Sequence, residues 1–412
     1  MVKTTSNPWL RSLLRAGKKQ QRSVVRAIGK LLAPSKPKAA PKVRAAAKNT
    51  LKPRAATAPA AIAPLKPRTA HTPAVAAPRA IRGNAVLAPV PTSVPAAPAS
   101  GKWLASHHSG FSEHGAMRRM RYWLYLPERP PAEAGTKSGA KSGIPPAGLP
   151  LIVMLHGCDQ SATVFAQGTR MNQLAEVAGY AVLYPQQAVS THPRRCWKWY
   201  DRATQHGGGD VPSIVGIIHK VMDQYPIDRS RIYICGISAG AAMANIVALN
   251  HPELFAGIGL HSGPIFGAGH STIGALAVMR HGGGARVDGA IAEVLGKRAA
   301  FPSLPTILIQ GEDDSVVHPI NQIQLVRQAM LVNQLPDDSP EQLVGKAANT
   351  RGHAYQLRDV YRGRKVVLRI ARIAELKHAW SGGDERLSFN SGRGPDASKM
   401  MLDFFSRQQR AL

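Results

Sequence analysis

Aspartate and glutamate are missing from the first hundred positions of this 412-residue chain, and cysteine occurs only 3 times in all of it. No apolar run approaches the roughly 20 residues that a membrane-spanning helix requires. Each absence excludes something. Three cysteines cannot frame a disulfide scaffold, and the missing apolar run excludes a transmembrane segment. No apolar core with a small-residue cleavage site follows the first positive charges, which argues against a secretory signal and points to a cytoplasmic, granule-associated location. Aromatic residues make up only 6% of the chain, and none stands among the basic residues of positions 34–100 to stack on bases. Specific nucleic-acid recognition is therefore not expected.

Positive charge, by contrast, is plentiful and unevenly placed. The chain carries 53 Lys and Arg against 24 Asp and Glu, a formal net charge of +29. Residues 1–100 hold 19 of these bases and 14 of the 32 prolines, which leaves only +10 for the other 312 residues. Within residues 1–33, Leu10, Leu13, Leu14, Val24, Val25, Ile28, Leu31 and Leu32 recur at roughly helical spacing between Arg11, Arg15, Lys18, Lys19, Arg22 and Arg26. That pattern describes either a basic amphipathic helix suited to a granule or anionic surface, or a weakly helical tail, since Gly17 and the Gln20-Gln21 pair interrupt the stripe. Residues 34–102, rich in Ala, Pro and Lys, cannot bury enough apolar area to offset their ordering entropy and read as a disordered linker. A tail this basic would hold DNA non-specifically at low salt whatever its purpose, so such binding discriminates nothing.

From residue 103 to 412 the composition turns ordinary and one domain is expected. RMRYWLYLP (119–127) alternates like a strand, and PLIVMLHG (150–157) is a continuous buried one. YAVLYP, RIYICG (231–236), FAGIGLHSG, PTILIQG (305–311) and RKVVLRIARI (364–373) follow, spaced by the helical patterns RMNQLAEVAGY, SIVGIIHKVMDQY (213–225) and AAMANIVALNHP. Strands separated by helices predict an α/β fold with a mostly parallel sheet covered on both faces.

The chemistry is concentrated at strand ends. Gly236-Ile237-Ser238-Ala239-Gly240 lies between a strand and a helix, the setting in which a serine nucleophile is held exposed on a tight turn. Such a serine needs a base and an acid that follow it in the order Ser, Asp, His. Asp314, in the turn after PTILIQG, is expected to be the acid, with Glu312 and Asp313 as solvated neighbours. His378, just beyond the last strand, is expected to be the base. His318 lies too near Asp314 in the chain, and His353 precedes the last strand. The oxyanion donors are expected to be the backbone N–H groups of Ala239 and of Cys158, which follows the buried strand LIVML. The two HGGG strings at 206–209 and 281–284 follow no apolar strand and are read as decoys. Cys235 reads as an inert core residue. Histidines such as His107 and His108 show no ligand spacing, and no metal is expected.

Several ordered motifs agree with one family. HGCDQSATVFAQGTRMNQLAEVAGYAVLYPQQ, RRCWKWYD, GISAGAAMANIVALNHPELFAGIGLHSG, GEDDSVVHP, HAWSGG and GPDAS together resemble the polyhydroxybutyrate depolymerase family of esterases, related to feruloyl and acetylxylan esterases, over residues 118–407. The resemblance implies an α/β-hydrolase fold, a Ser238/Asp314/His378 triad, no cofactor, and hydrolysis of hydroxyalkanoate or short-chain acyl esters. It also implies a substrate cleft edged by Trp197, Trp199, Tyr200 and Trp380. Cys158 and Cys196 match positions that pair in some members, many of which are extracellular; the alternative is two reduced thiols. Three functions remain open: an esterase on polyhydroxyalkanoate or short-chain esters, an esterase on plant-wall feruloyl or acetyl groups, and a granule- or nucleic-acid-binding protein with an inactive hydrolase domain.

Overall fold

A computed structural model describes residues 100–111, 117–128, 147–284, 287–347 and 352–411. The basic segment 1–33 and the linker through residue 99 lie outside the described residues. The strands in chain order are β1 (Lys102–Phe111), β2 (Met117–Leu126), β3 (Leu149–Leu155), β4 (Ala181–Gln186), β5 (Ile227–Ile237), β6 (Gly257–His261), β7 (Thr306–Gly311), β8 (Glu341–Ala347), β9 (Tyr355–Arg362) and β10 (Lys365–Ile373). They form one sheet in the order β1-β2-β4-β3-β5-β6-β7-β10-β9-β8. The six central strands are mutually parallel, and β2 and β9 join them antiparallel.

Both faces of this sheet are buried, and the side-chain alternation of each central strand shows it. On β3, Leu149, Leu151, Val153 and Leu155 enter one apolar cluster while Ile152 and Met154 enter the other. Helices α1 (Ala162–Thr169), α2 (Met171–Ala178) and α9 (Ala397–Phe405) cover the second face. Helices α4 (Val211–Gln224), α5 (Ala239–Asn250), α6 (Thr272–His281), α7 (Val287–Gly296) and α8 (Ile320–Val332) pack on the first, and the short α3 (Arg202–Gln205) precedes α4. Helix α5 has no polar face because all but its last residue is buried, and its run of alanines lets it lie close on the sheet centre. Among the described residues no helix is long and apolar enough to cross a membrane.

Three strands of this sheet escape the sequence reading. β1, β8 and β9 are peripheral, and β9 alternates between exposed, half-buried and buried positions. Their sequences KWLASHHSGF, EQLVGKA and YQLRDVYR therefore carry none of the continuous apolar character that marks a doubly covered strand. The parallel core sets the location of the site. Because β3, β5, β6, β7 and β10 run the same way, the turns after Leu155, Ile237, His261, Gly311 and Ile373 all emerge at one edge of the sheet.

Candidate active site

Ser238 follows β5 directly and opens α5 with φ 56° and ψ −124°, a conformation that side chains avoid and that a tight strand-to-helix turn imposes. The turn survives because its flanking residues are glycines. A Cβ on Gly236 or Gly240 would collide with the main-chain carbonyl of Leu155, so β3 can approach only a bare backbone at these two positions. The Ser238 N–H donates to His261 O (3.0 Å), tying the turn to the end of β6.

Beyond β7 the chain turns through Glu312 and Asp313, both exposed, to Asp314, which is 2% exposed. Asp314 Oδ1 accepts from the amides of Val316 (2.9 Å) and Val317 (2.8 Å), and its Oδ2 accepts from Gln310 Nε2 (3.2 Å). The same Oδ2 lies 2.8 Å from His378 Nδ1. Burial pushes the Asp314 carboxyl up, but the His378 hydrogen bond and charge and the two amides outweigh it, and the net direction is down. The carboxylate therefore stays ionised and holds the Nδ1 proton of His378, which leaves Nε2 free to accept another. His318 bonds through its main chain to Met279, and His353 to Gly394; neither lines the cavity described below.

A cavity of about 360 Å³ opens at this sheet edge, with Ser238, Ala239, Cys158 and His378 all on its wall. Among the described residues no hydrogen bond occupies the N–H of Cys158 or of Ala239, so both donors remain for an oxygen in the cavity. The loop carrying Cys158 is braced from several sides. Gly157 N donates to Gln160 Oε1 (2.9 Å), Asp159 N to Arg194 O (2.6 Å), and Cys158 is joined to Cys196 by a disulfide across 38 residues of sequence. A closed loop of that length is worth about 2–4 kcal/mol in the chain-entropy account. Replacing both cysteines by alanine keeps the Cys158 N–H, so the double variant is expected to be less stable by about that free energy, to melt several degrees earlier and to turn over more slowly; unchanged melting and turnover would show that the bridge braces nothing. Cys235 is buried against Met154 Sδ, and burial pushes its thiol well up.

Of the four aromatic residues expected at the cleft, Trp199 and Tyr200 line it, stacked edge to face at 5.7 Å. Trp197 and Trp380 do not. Trp197 is fully buried beneath the loop, its Nε1 donating to His156 O (2.9 Å), and Trp380 lies between Phe165 and His261 with its Nε1 on Ser398 Oγ (3.1 Å). Both support the site from below. The rest of the wall was not visible in the sequence: Leu276 and Met279 of α6, Val316 and Phe389 make it apolar, while His192, Arg194, Asp159 and Gln160 make one side polar. The two HGGG strings stay away from the cavity. Gly207 packs on Asn250, and Gly283, just after α6, donates its N–H to Gln324 Oε1 of α8. Among the described residues no three His, Cys, Asp or Glu side chains converge to hold a metal ion.

Two further histidines stand fully buried at this edge. His156 Nε2 accepts from Gln187 N (3.1 Å), so its Nδ1–H donates to Gly157 O (2.8 Å). Burial pushes His156 down to about 4, and burial with the nearby His378 charge pushes His261 down to about 3. In the unfolded chain both would titrate near 6.5, so the unfolded state takes up protons that the folded state refuses. The stability they contribute is complete above pH ~6.5 and is lost as pH falls toward about 4 for His156 and about 3 for His261, at roughly 1.4 kcal/mol per histidine per pH unit. Thermal melts at pH 7 and pH 5 should differ by several degrees, and a flat profile over that interval would contradict the buried neutral state.

Comparison with known proteins places the chain among esterases. The profile of the family described as esterase PHB depolymerase matches residues 141–353, which contain Ser238 and Asp314 and stop short of His378. Poly(3-hydroxyalkanoate) depolymerase C of Paucimonas lemoignei is 30% identical over 202 residues, 47% of this chain and 48% of that protein. Probable acetylxylan esterase A of Neosartorya fischeri is 36% identical over 124 residues, 30% of this chain and 33% of the fungal protein. The chain thus spans half or less of the length of these relatives. Among solved structures, the acetyl xylan esterase from Aspergillus awamori superposes with a TM-score of 0.54 at 17% identity, over 74% of this chain and 99% of that one, which establishes a shared α/β-hydrolase fold.

Proposed function

Since this chain belongs to the esterase PHB depolymerase family, we propose that it is a serine esterase that cleaves poly- or oligo-hydroxyalkanoate or short-chain acyl esters through an acyl-enzyme. The observation that carries this reading is the 2.8 Å contact between His378 Nδ1 and Asp314 Oδ2 on a cavity that Ser238 also lines. His378 Nε2 takes the Ser238 hydroxyl proton as Oγ attacks the ester carbonyl, and the N–H groups of Cys158 and Ala239 receive the negative oxygen. The tetrahedral adduct collapses, the C–O bond to the alcohol breaks, and His378 returns the proton to the departing alkoxide. Water, deprotonated by the same base, then attacks the acyl-enzyme and releases the acid and free Ser238.

The apolar wall of Leu276, Met279, Val316 and Phe389 favours an aliphatic acyl chain such as that of a hydroxyalkanoate. A second reading, an esterase on acetylated or feruloylated plant-wall polymer, is supported by the polar side formed by His192, Arg194 and Gln160, which suits a sugar leaving group, and by the acetylxylan esterases among the relatives. Rates on hydroxybutyrate oligomers, acetylated xylan and methyl ferulate separate them: the first is expected to lead in kcat/KM, and preference for xylan would transfer the assignment to the second. Inertness toward all three together with p-nitrophenyl butyrate would leave a binding protein on a hydrolase scaffold. The basic first hundred residues are assigned to surface attachment. Their removal is expected to weaken adsorption to polyester granules and to leave p-nitrophenyl butyrate turnover unchanged, and equal adsorption would remove that role.

A further inference from the structure

We propose that His261 is a positioning residue for this reaction: its main-chain carbonyl holds the amide of Ser238 and its imidazole holds the amide of Ser381, three residues beyond His378. The inference rests on the esterase reading above. His261 closes β6 at the middle of the functional edge, in register with Ile237 of β5 and Ile309 of β7. Ser238 N donates to His261 O at 3.0 Å, and Ser381 N donates to His261 Nε2 at 3.3 Å. With Nε2 accepting, the ring proton sits on Nδ1 and is given to Ser262 Oγ at 3.1 Å. The ring also stacks on Trp380, two residues after His378, with centroids 5.2 Å apart and planes 24° from parallel. Trp380 and Ser381 are anchored in turn by Ser398 Oγ and by Pro395 O.

His261 is fully buried and does not line the cavity, so it touches no substrate. Its contacts instead join two chain segments that are 140 residues apart, the one that presents the nucleophile and the one that presents the base. A buried histidine that merely filled space would not need to hold either. An apolar replacement would fill the volume and strand the Ser381 N–H without an acceptor. The base loop would then settle elsewhere relative to Ser238, and a shift of about 1 Å between reacting groups costs on the order of 10²-fold in rate.

The test compares His261→Asn with His261→Gln. Asparagine places its amide near the Nδ1 position, whereas the longer glutamine places one near Nε2, where its oxygen can accept from Ser381 N. Turnover of p-nitrophenyl butyrate by H261N is expected to fall about 10²-fold in kcat with KM within about twofold of wild type. H261Q is expected to recover at least about tenfold over H261N, with similar melting temperatures for the two variants. Equal kcat in both, or losses that follow the folded fraction, would overturn the proposal. Should H261N fail to fold, His261→Leu takes its place as the variant with no acceptor at the Nε2 position, and the same outcomes against H261Q support or overturn the proposal. A wild-type protein inert to the ester would overturn the esterase reading and this inference together, whereas an active wild type with indistinguishable variants would overturn this inference alone.

Discussion

Replacing Ser238 by alanine is expected to lower kcat on p-nitrophenyl butyrate by about 10⁴- to 10⁶-fold while KM and the melting temperature stay near those of the wild type. Three features support so large and so clean an effect. The serine occupies the turn between β5 and α5 at φ 56°, which alanine adopts at no greater cost, so the fold is retained. The turn is held by main-chain groups, Ser238 N on His261 O and Ala242 N on Ser238 O (3.0 Å), neither of which the substitution touches. The cavity wall loses one hydroxyl and keeps the free N–H groups of Cys158 and Ala239, so the variant should still bind ester and retain the weak catalysis those donors supply. A variant that turned over within tenfold of wild type would remove Ser238 from the mechanism.

Asp314→Asn should cost about 10⁴-fold in kcat, against no more than about twofold for Asp313→Asn. The size follows from the hydrogen bonds around the carboxylate. Val316 N and Val317 N both donate to Oδ1, so the asparagine oxygen is drawn to that side and its NH₂ is turned toward His378. Nδ1 of the imidazole must then accept rather than donate, which moves the ring proton to Nε2, where it can no longer take the serine proton. Among the described residues Asp313 bonds through its main-chain N–H to Leu376 O (3.2 Å) and exposes its side chain, so its change to asparagine alters no contact of His378. Steady-state kinetics on the two variants checks the pair. Equal losses would place the acid elsewhere.

Ser238 was legible because the glycines on either side of it reflect a clash with the Leu155 carbonyl that any such turn must avoid. Asp314 was legible because it follows a doubly buried strand, whose end is easy to place. Trp197 and Trp199 were not separable: two rings two residues apart in an irregular loop have no periodicity to assign them, and only the packed loop puts one beneath His156 and the other on the cavity. Gln310 gave no signal at all, since a glutamine in a strand is unremarkable until its Nε2 is found on both Asp314 Oδ2 and Val317 O (3.0 Å). The same is true of His261, one of 15 histidines in the chain and distinguished by no motif.

What the sequence determined by itself is the layering and the strand ends at which the candidate residues stand. Short apolar runs that alternate with helical patterns can only bury both faces of a parallel sheet, and residues at the ends of parallel strands emerge together whatever their separation along the chain. It also confined the excess positive charge to the first hundred residues, because charge is additive and needs no fold to be located. Only the tertiary structure decided which of the strand-end residues meet: the 2.8 Å pairing of Asp314 with His378 across 64 residues, the disulfide that holds the Cys158 loop, and the imidazole of His261 between two loops. Those contacts depend on side-chain direction and on distances of a few tenths of an ångström, which arise when the packed sheet brings the loops together and are not encoded in any one segment.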